Sequence, residues 1–363
     1  MSLIATDSHS QIKIATFNLF NFIAPPDAFY EFDNIYTQEQ WLKKLNWIEK
    51  YLNEHQPDVI GFQEVFSPIE LEALTKRCGL GYFSVLDSPQ VVDGFIYSKP
   101  VVALASRYPI KEAVSVKADK LFSEKMGLSE GFEFSRSPLR ATIELPKLGL
   151  CDCYVVHFKS KRPLFSIDEF AASSAETVSS LHHTEHNTGQ ALAVEVLGQW
   201  GSSIQRGSEA VLLRYAMVSR RSETQQPAIL MGDFNDLLSD GVLAGLTSVD
   251  TRIKPQTILG LGAIGRVEHQ LAHYRLKDGY ELYQEGKYSL SGQARAATHY
   301  YFAKGSVLDY ILLSSEFDPK NDLSLAEVSR YETYDRHLIN PRFETDSQST
   351  DHAPVMVTLS IRE

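Results

Sequence analysis

The chain has 363 residues, 43% hydrophobic and 22% charged, an ordinary globular composition with enough apolar material for a sizeable core. Acidic side chains outnumber basic ones, 46 to 35, and the formal charge of −11 argues against a protein that coats nucleic acid by nonspecific attraction. Three cysteines without framework spacing argue against a disulfide scaffold, and no apolar run reaches the length of a membrane span.

The first residues, MSLIATDSHSQ, are too polar for a secretory signal, so the expectation is a soluble chain, cytoplasmic unless a signal has been removed, with no stable membrane insertion. Ile12 to Phe17 alternates like a strand and ends at Asn18. From Thr37 to His55, Trp41, Leu45, Ile48 and Leu52 recur at helical steps, predicting an amphipathic helix that Pro57 closes. A short apolar strand, Val59 to Phe62, then runs into Gln63-Glu64. Further strands are expected at Val101–Ala105, Leu139–Leu145, Cys151–Phe158, Ala228–Met231, Asp309–Leu313 and Pro354–Ile361. Cys151 and Cys153 share one face of their strand and read as core residues. The stretch 160–201, rich in Ser, Ala, Thr and His, reads as a partly helical insertion leading into a helix near Glu209–Ser219. A second irregular insertion covers 251–298. Many strands with few helices predict stacked sheets rather than βαβ alternation, in one domain spanning 1–363 with these two insertions.

Gly232-Asp233-Phe234-Asn235 is the sharpest local signal. In extended backbone, Asp233 and Asn235 project to one side about 6–7 Å apart, so a carboxylate and an amide share a small space and can orient a water. Asp351 and His352 precede the last strand, where the carboxylate can reach a metal and the imidazole a phosphate. Asp309 opens an apolar strand, and a buried carboxylate needs a partner, for which His352 is the natural candidate. Glu64, at a strand end, suits a hard cation such as magnesium, and Asn18 can add an amide oxygen nearby. His157 ends another strand, followed by Lys159, Lys161 and Arg162, a small basic cluster suited to phosphate. The cluster His182, His183, Glu185 and His186 reads better as a solvated loop than as a zinc site.

Six separate strand ends thus supply Asn18, Glu64, His157, Asp233 with Asn235, Asp309, and Asp351 with His352. In this order, with Thr16-Phe17-Asn18-Leu19, Pro57-Asp58-Val59-Ile60, Ser106-Arg107-Tyr108-Pro109-Ile110 and Leu308-Asp309-Tyr310-Ile311 as flanks, the chain resembles the endonuclease/exonuclease/phosphatase superfamily, the DNase I-like fold. The resemblance runs from about Ile12 to Leu359. It implies an α/β (α+β) architecture, a four-layered sandwich of two packed, mostly antiparallel sheets flanked by helices. It also implies one Mg2+ site, with Mn2+ as a substitute ion, held by Glu64 with Asn18 and Asp351. By the same resemblance Asp233 handles the attacking water, Asn235 and His157 contact the reacting phosphate, and His352, held by Asp309, is base or phosphate stabiliser. Val155 departs from the pattern, standing where many relatives carry Asn.

The implied activity is a metal-dependent hydrolase acting on phosphate esters, first a phosphodiesterase or nuclease with a nucleic acid or nucleotide as partner. The alternatives are a phosphomonoesterase or phospholipid head-group hydrolase and, from another class, a non-catalytic binding module on the same fold. The sequence leaves the natural substrate and the oligomeric state open.

Overall fold

A computed structural model describes residues 11–165, 184–248, 270–290 and 294–362. Twelve strands make two six-stranded sheets. In chain order they are β1 (Gln11–Phe22), β2 (Val59–Val65), β3 (Tyr82–Ser84), β4 (Val101–Ser106), β5 (Ile110–Ser115), β6 (Leu139–Leu145), β7 (Gly149–His157), β8 (Ala228–Asp233), β9 (Leu276–Asp278), β10 (Asp309–Ser314), β11 (Ala326–Thr333) and β12 (Val355–Ile361). The first sheet has the order β11-β12-β1-β2-β4-β3, the second β9-β10-β8-β7-β6-β5. Within these two sheets, among the described residues, the central pairs β1 with β2 and β7 with β8 run parallel and the other pairings are antiparallel.

The central strands are apolar on both faces because both faces are covered, as parallel pairing favours. On β1, Ile12 and Ile14 point between the sheets, while Ala15 and Phe17 meet the outer helices α1 (Gln38–His55) and α2 (Pro68–Arg77). On β7, Cys151, Cys153 and Val155 face inward, and Tyr154 and Val156 pack against the long helix α3 (Thr184–Thr224) through Ala210, Leu213 and Met217. The result is the four-layered α/β sandwich, with each buried large side chain contributing about 1.5–3 kcal/mol. The two sheets pack closely at Gly61, where an added Cβ would lie 2.9 Å from Val155 Cγ2 and 3.0 Å from Met231 Cγ.

Helix α1 begins on a capping box between Thr37 and Gln40 and buries the stripe that spacing predicts, Trp41, Ile48 and Leu52. Helix α3 is longer than expected: one helix of 41 residues joins the end of the first predicted insertion to the predicted Glu209–Ser219 segment. Its first half carries Gly189, Gly198 and Gly201, poor helix formers that weaken a helical reading, and leaves Leu192, Val196, Leu197 and Trp200 exposed. Of the first predicted insertion, 166–183 and the side chains of the His182–His186 cluster lie outside the described residues; the second, expected to be irregular over 251–298, is described at 270–290 and from 294, where it holds β9 and a short helix, Gly279–Glu285. Among the described residues, no helix is long and apolar enough to cross a membrane.

The segment that carries Asp351 and His352 is tied down on both sides. Trp47 of α1 stacks on Tyr51, 6.3 Å between ring centroids, and meets His337 at 4.7 Å. His337 Nε2 lies 3.2 Å from the His352 carbonyl oxygen. Trp47 Nε1 donates to Asp346 at 3.1 Å, and the buried Lys44 ammonium donates to the Ser349 carbonyl at 3.2 Å.

Candidate active site

The site gathers at the C-terminal ends of the two parallel pairs, where neighbouring strands place chemistry side by side. His157 is paired with Asp233 in register, Asp233 with Asp309, and Asn18 with Gln63. Gly232 makes the β7–β8 contact: its φ is +150°, and a Cβ there would fall 2.0 Å from the Val156 carbonyl oxygen, so only glycine fits. Beyond it Asn235 turns left-handed, at φ +55°, and its backbone N–H donates to Asp233 Oδ1 at 2.8 Å. On the other sheet β1 and β2 lose register after Asn18, and Phe20, Asn21 and Glu64 have φ of +50°, +55° and +59°. This bulge turns Glu64 inward, so that its Oε2 accepts the Asn21 N–H at 2.9 Å.

Asp233 is the hub. Its Oδ2 accepts from Asn18 Nδ2 at 3.1 Å and Asn235 Nδ2 at 3.2 Å, with His157 Nε2 at 3.5 Å and His352 Nε2 at 3.8 Å. Asp309 Oδ2 lies 2.8 Å from His352 Nδ1. Thr298 Oγ accepts the Leu308 and Asp309 N–H groups, and its carbonyl takes the Ala353 N–H at 2.7 Å. Thr350 Oγ donates to the Asn18 carbonyl at 2.7 Å, closing the last loop onto β1.

Burial pushes the Asp233 carboxyl up to about 7; His352 pulls it down and Asp309 pushes it up again. Burial alone would lower the His352 imidazole, but Asp309 and then Asp233 hold it well above its usual value. Burial, then Arg136 and His352, hold His157 well below its ordinary value, so it faces the cleft as a neutral ring. A carboxylate poised near neutrality can exchange a proton with water, and a charged His352 can stabilise negative oxygen.

Glu64, His157, Asp233, Asn235, Asp351 and His352 line one cleft, with Asn18 and Asp309 bonded beneath it, so all eight sequence-derived candidates converge. The donors fit a hard divalent ion: Glu64 and Asp351 offer carboxylates, and Asp351 Oδ1 is buried without a hydrogen-bond partner. Asn18 Oδ1 accepts the Phe20 N–H at 3.0 Å and keeps a second lone pair. Close groupings of ligand atoms occur at His299, Asp351 and His352 and at Asp233, Asp309 and His352, with Glu64 outside both.

Sequence reasoning missed His299, whose ring lies 4.9 Å from that of His352, and Lys44, Tyr30 and Arg136. Lys44 left a signal: it falls on the apolar stripe of α1 between Trp41 and Ile48, where a lysine must find a partner. Burial lowers it to about 8, against the pull of Asp351 and Glu64. Tyr30 left none, because its place depends on a loop conformation with φ +63°.

The sequence profile of the Endonuclease/Exonuclease/phosphatase family matches residues 15–352. No curated protein matches the chain. Among solved structures, the human Nocturnin catalytic domain with bound sulfate is similar at TM-score 0.55 and 16% identity, over 98% of this chain and 96% of that one. A D. rerio TDP2 complexed with single strand DNA product is similar at TM-score 0.50 and 14% identity, covering 96% and 99%. An endonuclease/exonuclease/phosphatase from Beutenbergia cavernae reaches TM-score 0.50 and 15% identity, covering 97% and 72%. These likenesses describe the fold, and the profile, spanning every residue of the cleft named from sequence, places the chain in the Endonuclease/Exonuclease/phosphatase family.

Proposed function

We propose that the chain is a magnesium-dependent phosphodiesterase, acting on a nucleic acid or nucleotide by attack of water on phosphorus. The observation that carries this reading is the hub at Asp233: one buried carboxylate, raised to about 7, contacted by two amides and faced by two imidazoles of opposite protonation. Asp233 takes the proton of the attacking water. Asn235 and His157 hold the reacting phosphate, and His352, oriented by Asp309, stabilises its developing charge. Glu64, Asp351 and Asn18 hold Mg2+, for which Mn2+ substitutes. When bound, the ion polarises the phosphate and steadies the leaving oxygen. The whole chain, including both insertions, acts as one domain.

Basic residues at the cleft, Arg136, Arg162 and Lys304, favour an extended anionic substrate, and a similarly folded TDP2 has been solved with single strand DNA product. A second reading, a phospholipid head-group hydrolase, draws on one observation: Tyr301 and Phe302 are 72% and 89% exposed on a hairpin at the cleft's edge. The test is a magnesium titration of hydrolysis with bis(4-nitrophenyl) phosphate, 4-nitrophenyl phosphate, a single-stranded oligonucleotide and phosphatidylcholine vesicles. Metal-dependent cleavage of the diester and the oligonucleotide is expected. Turnover confined to vesicles selects the second reading, turnover confined to the monoester selects a phosphomonoesterase, and inertness towards all four leaves a binding module.

A further inference from the structure

The wall of the cleft beyond His157 carries two arginines that the proposed chemistry does not use. Arg136 and Arg162 both line the cleft, and among the described residues neither guanidinium is paired with a carboxylate, in a chain where acids are in excess. Their basic neighbours are spent: Lys161 is bonded to Asp236 at 2.7 Å, and Lys159 to the carbonyls of Ser160 and Arg162. Arg136 makes one long bond to the Phe158 carbonyl, at 3.4 Å, and faces the phenol of Tyr30. Cations crowd here enough that burial first, and Arg136 next, hold Lys159 down to about 8.

Tyr30 reaches this wall from the other sheet's side. It is held by its N–H donating to the Tyr97 carbonyl at 2.8 Å and by edge contact with Phe66 at 5.7 Å. Its backbone is left-handed, at φ +63°, a strained conformation for a bulky residue of the kind that clusters at functional sites. Tyr30 is 40% exposed and lines the cleft, where its phenol is bonded to Arg136 and feels the charges of Glu64 and Arg162. A hydroxyl bonded to one guanidinium and near a second offers several donors to a phosphate-like anion, which arginine binds in bidentate fashion. His157, Asn235, His352 and the ion already surround the reacting phosphate, so this wall stands one group further along.

We propose that Tyr30, Arg136 and Arg162 form an anion subsite beside the metal centre that takes a second phosphate group of the substrate, adjacent to the one that reacts. This deepens the phosphodiesterase reading and rests on it for where the reacting phosphate sits. A second phosphate is offered by a nucleotide strand or by a bisphosphorylated polyol.

The experiment is isothermal titration calorimetry in magnesium chloride on the wild type, Arg136→Gln and Tyr30→Phe, which reads binding without turnover. Thymidine 3′,5′-bisphosphate is compared with thymidine 5′-monophosphate, and inositol 1,4-bisphosphate with inositol 1-phosphate. In the wild type one bisphosphate binds about 10-fold or more tighter than its monophosphate, and the pair that shows the preference names the source. Arg136→Gln brings that ratio close to one, Arg136→Lys restores part of it, and Tyr30→Phe lowers it less. A ratio near one for both pairs in the wild type overturns the subsite. So does an equal loss for mono- and bisphosphate in Arg136→Gln, which would put this arginine on the reacting phosphate. If bis(4-nitrophenyl) phosphate is not hydrolysed while the ratio and its collapse are seen, the phosphodiesterase reading falls and the subsite stands.

Discussion

On the second sheet's side of the cleft, His157, Asp233 and Asp309, with His352 leaning across to join them, are each at most 6% exposed; His352 is hydrogen-bonded to Asp309, and the two imidazoles lie 3.5 and 3.8 Å from the Asp233 carboxylate. On the first sheet's side, Glu64 and Asp351 are half-buried and keep acceptor capacity, Asp351 Oδ1 having no partner at all. Burial and close charges shift the proton affinities of His157, Asp233 and His352, while Glu64 and Asp351 offer oxygen lone pairs that an ion can take. The difference suggests a division of labour, with proton handling on one sheet and cation holding on the other, joined by Asn18, whose amide reaches both Asp233 and Glu64.

The sharpest way to break that division is Asp233→Asn, which keeps the shape of the hub and removes its proton acceptor. It should lower kcat on bis(4-nitrophenyl) phosphate by about 10³–10⁴-fold without changing the magnesium concentration for half-maximal rate. A near-normal rate would show that the hub is structural. His352→Ala should cost about 10²–10³-fold, and Asp309→Asn less, because it removes the charge that orients the ring and holds its proton but leaves the imidazole in place. Glu64→Gln belongs to the other half: the magnesium requirement should rise about 10–100-fold, with much of kcat recovered at saturation. If kcat fell as far as in Asp233→Asn with the metal requirement unmoved, the two sides would not be separable.

Two smaller effects probe what holds the halves together. Gly61→Ala should destabilise the fold by about 1–3 kcal/mol, read as a lower urea midpoint, because its methyl group enters the space of Val155 and Met231. His337 sharpens the same point through pH. Burial holds its imidazole down at about 4, against an ordinary value of 6.5. The unfolded chain therefore binds the extra proton first, so this contribution to stability is full above about pH 6.5 and fades as pH falls towards 4. Urea midpoints measured from pH 7 to 4.5 should decline less steeply in His337→Gln; equal slopes would remove His337 from the account.

Long central strands and α1 were legible because apolar alternation and a capped amphipathic stripe are local patterns. The eight candidate residues were legible for a related reason: most lie at or beside a strand terminus, and at one rim of the two sheets these termini converge. What the sequence hid depends on the path of the chain between strands. The edge strands β3 and β9, three residues each, are too short to show a period. Helix α2 has a proline at its start but little apolar contrast. Tyr30 and Arg136 lie on loops, where placement follows from tertiary packing and not from neighbours in sequence.

The ring stack of Trp47, Tyr51, Tyr334 and His337 has a further consequence for how the molecule opens. These rings join an outer helix to the loop that presents Asp351 and His352, so the loop is not a free flap and cannot breathe independently of α1. In deuterium exchange the amides of α1 and those around His352 would then lose protection together, as one cooperative unit, and the readiness of the cleft to react would be set partly by a helix that touches no substrate.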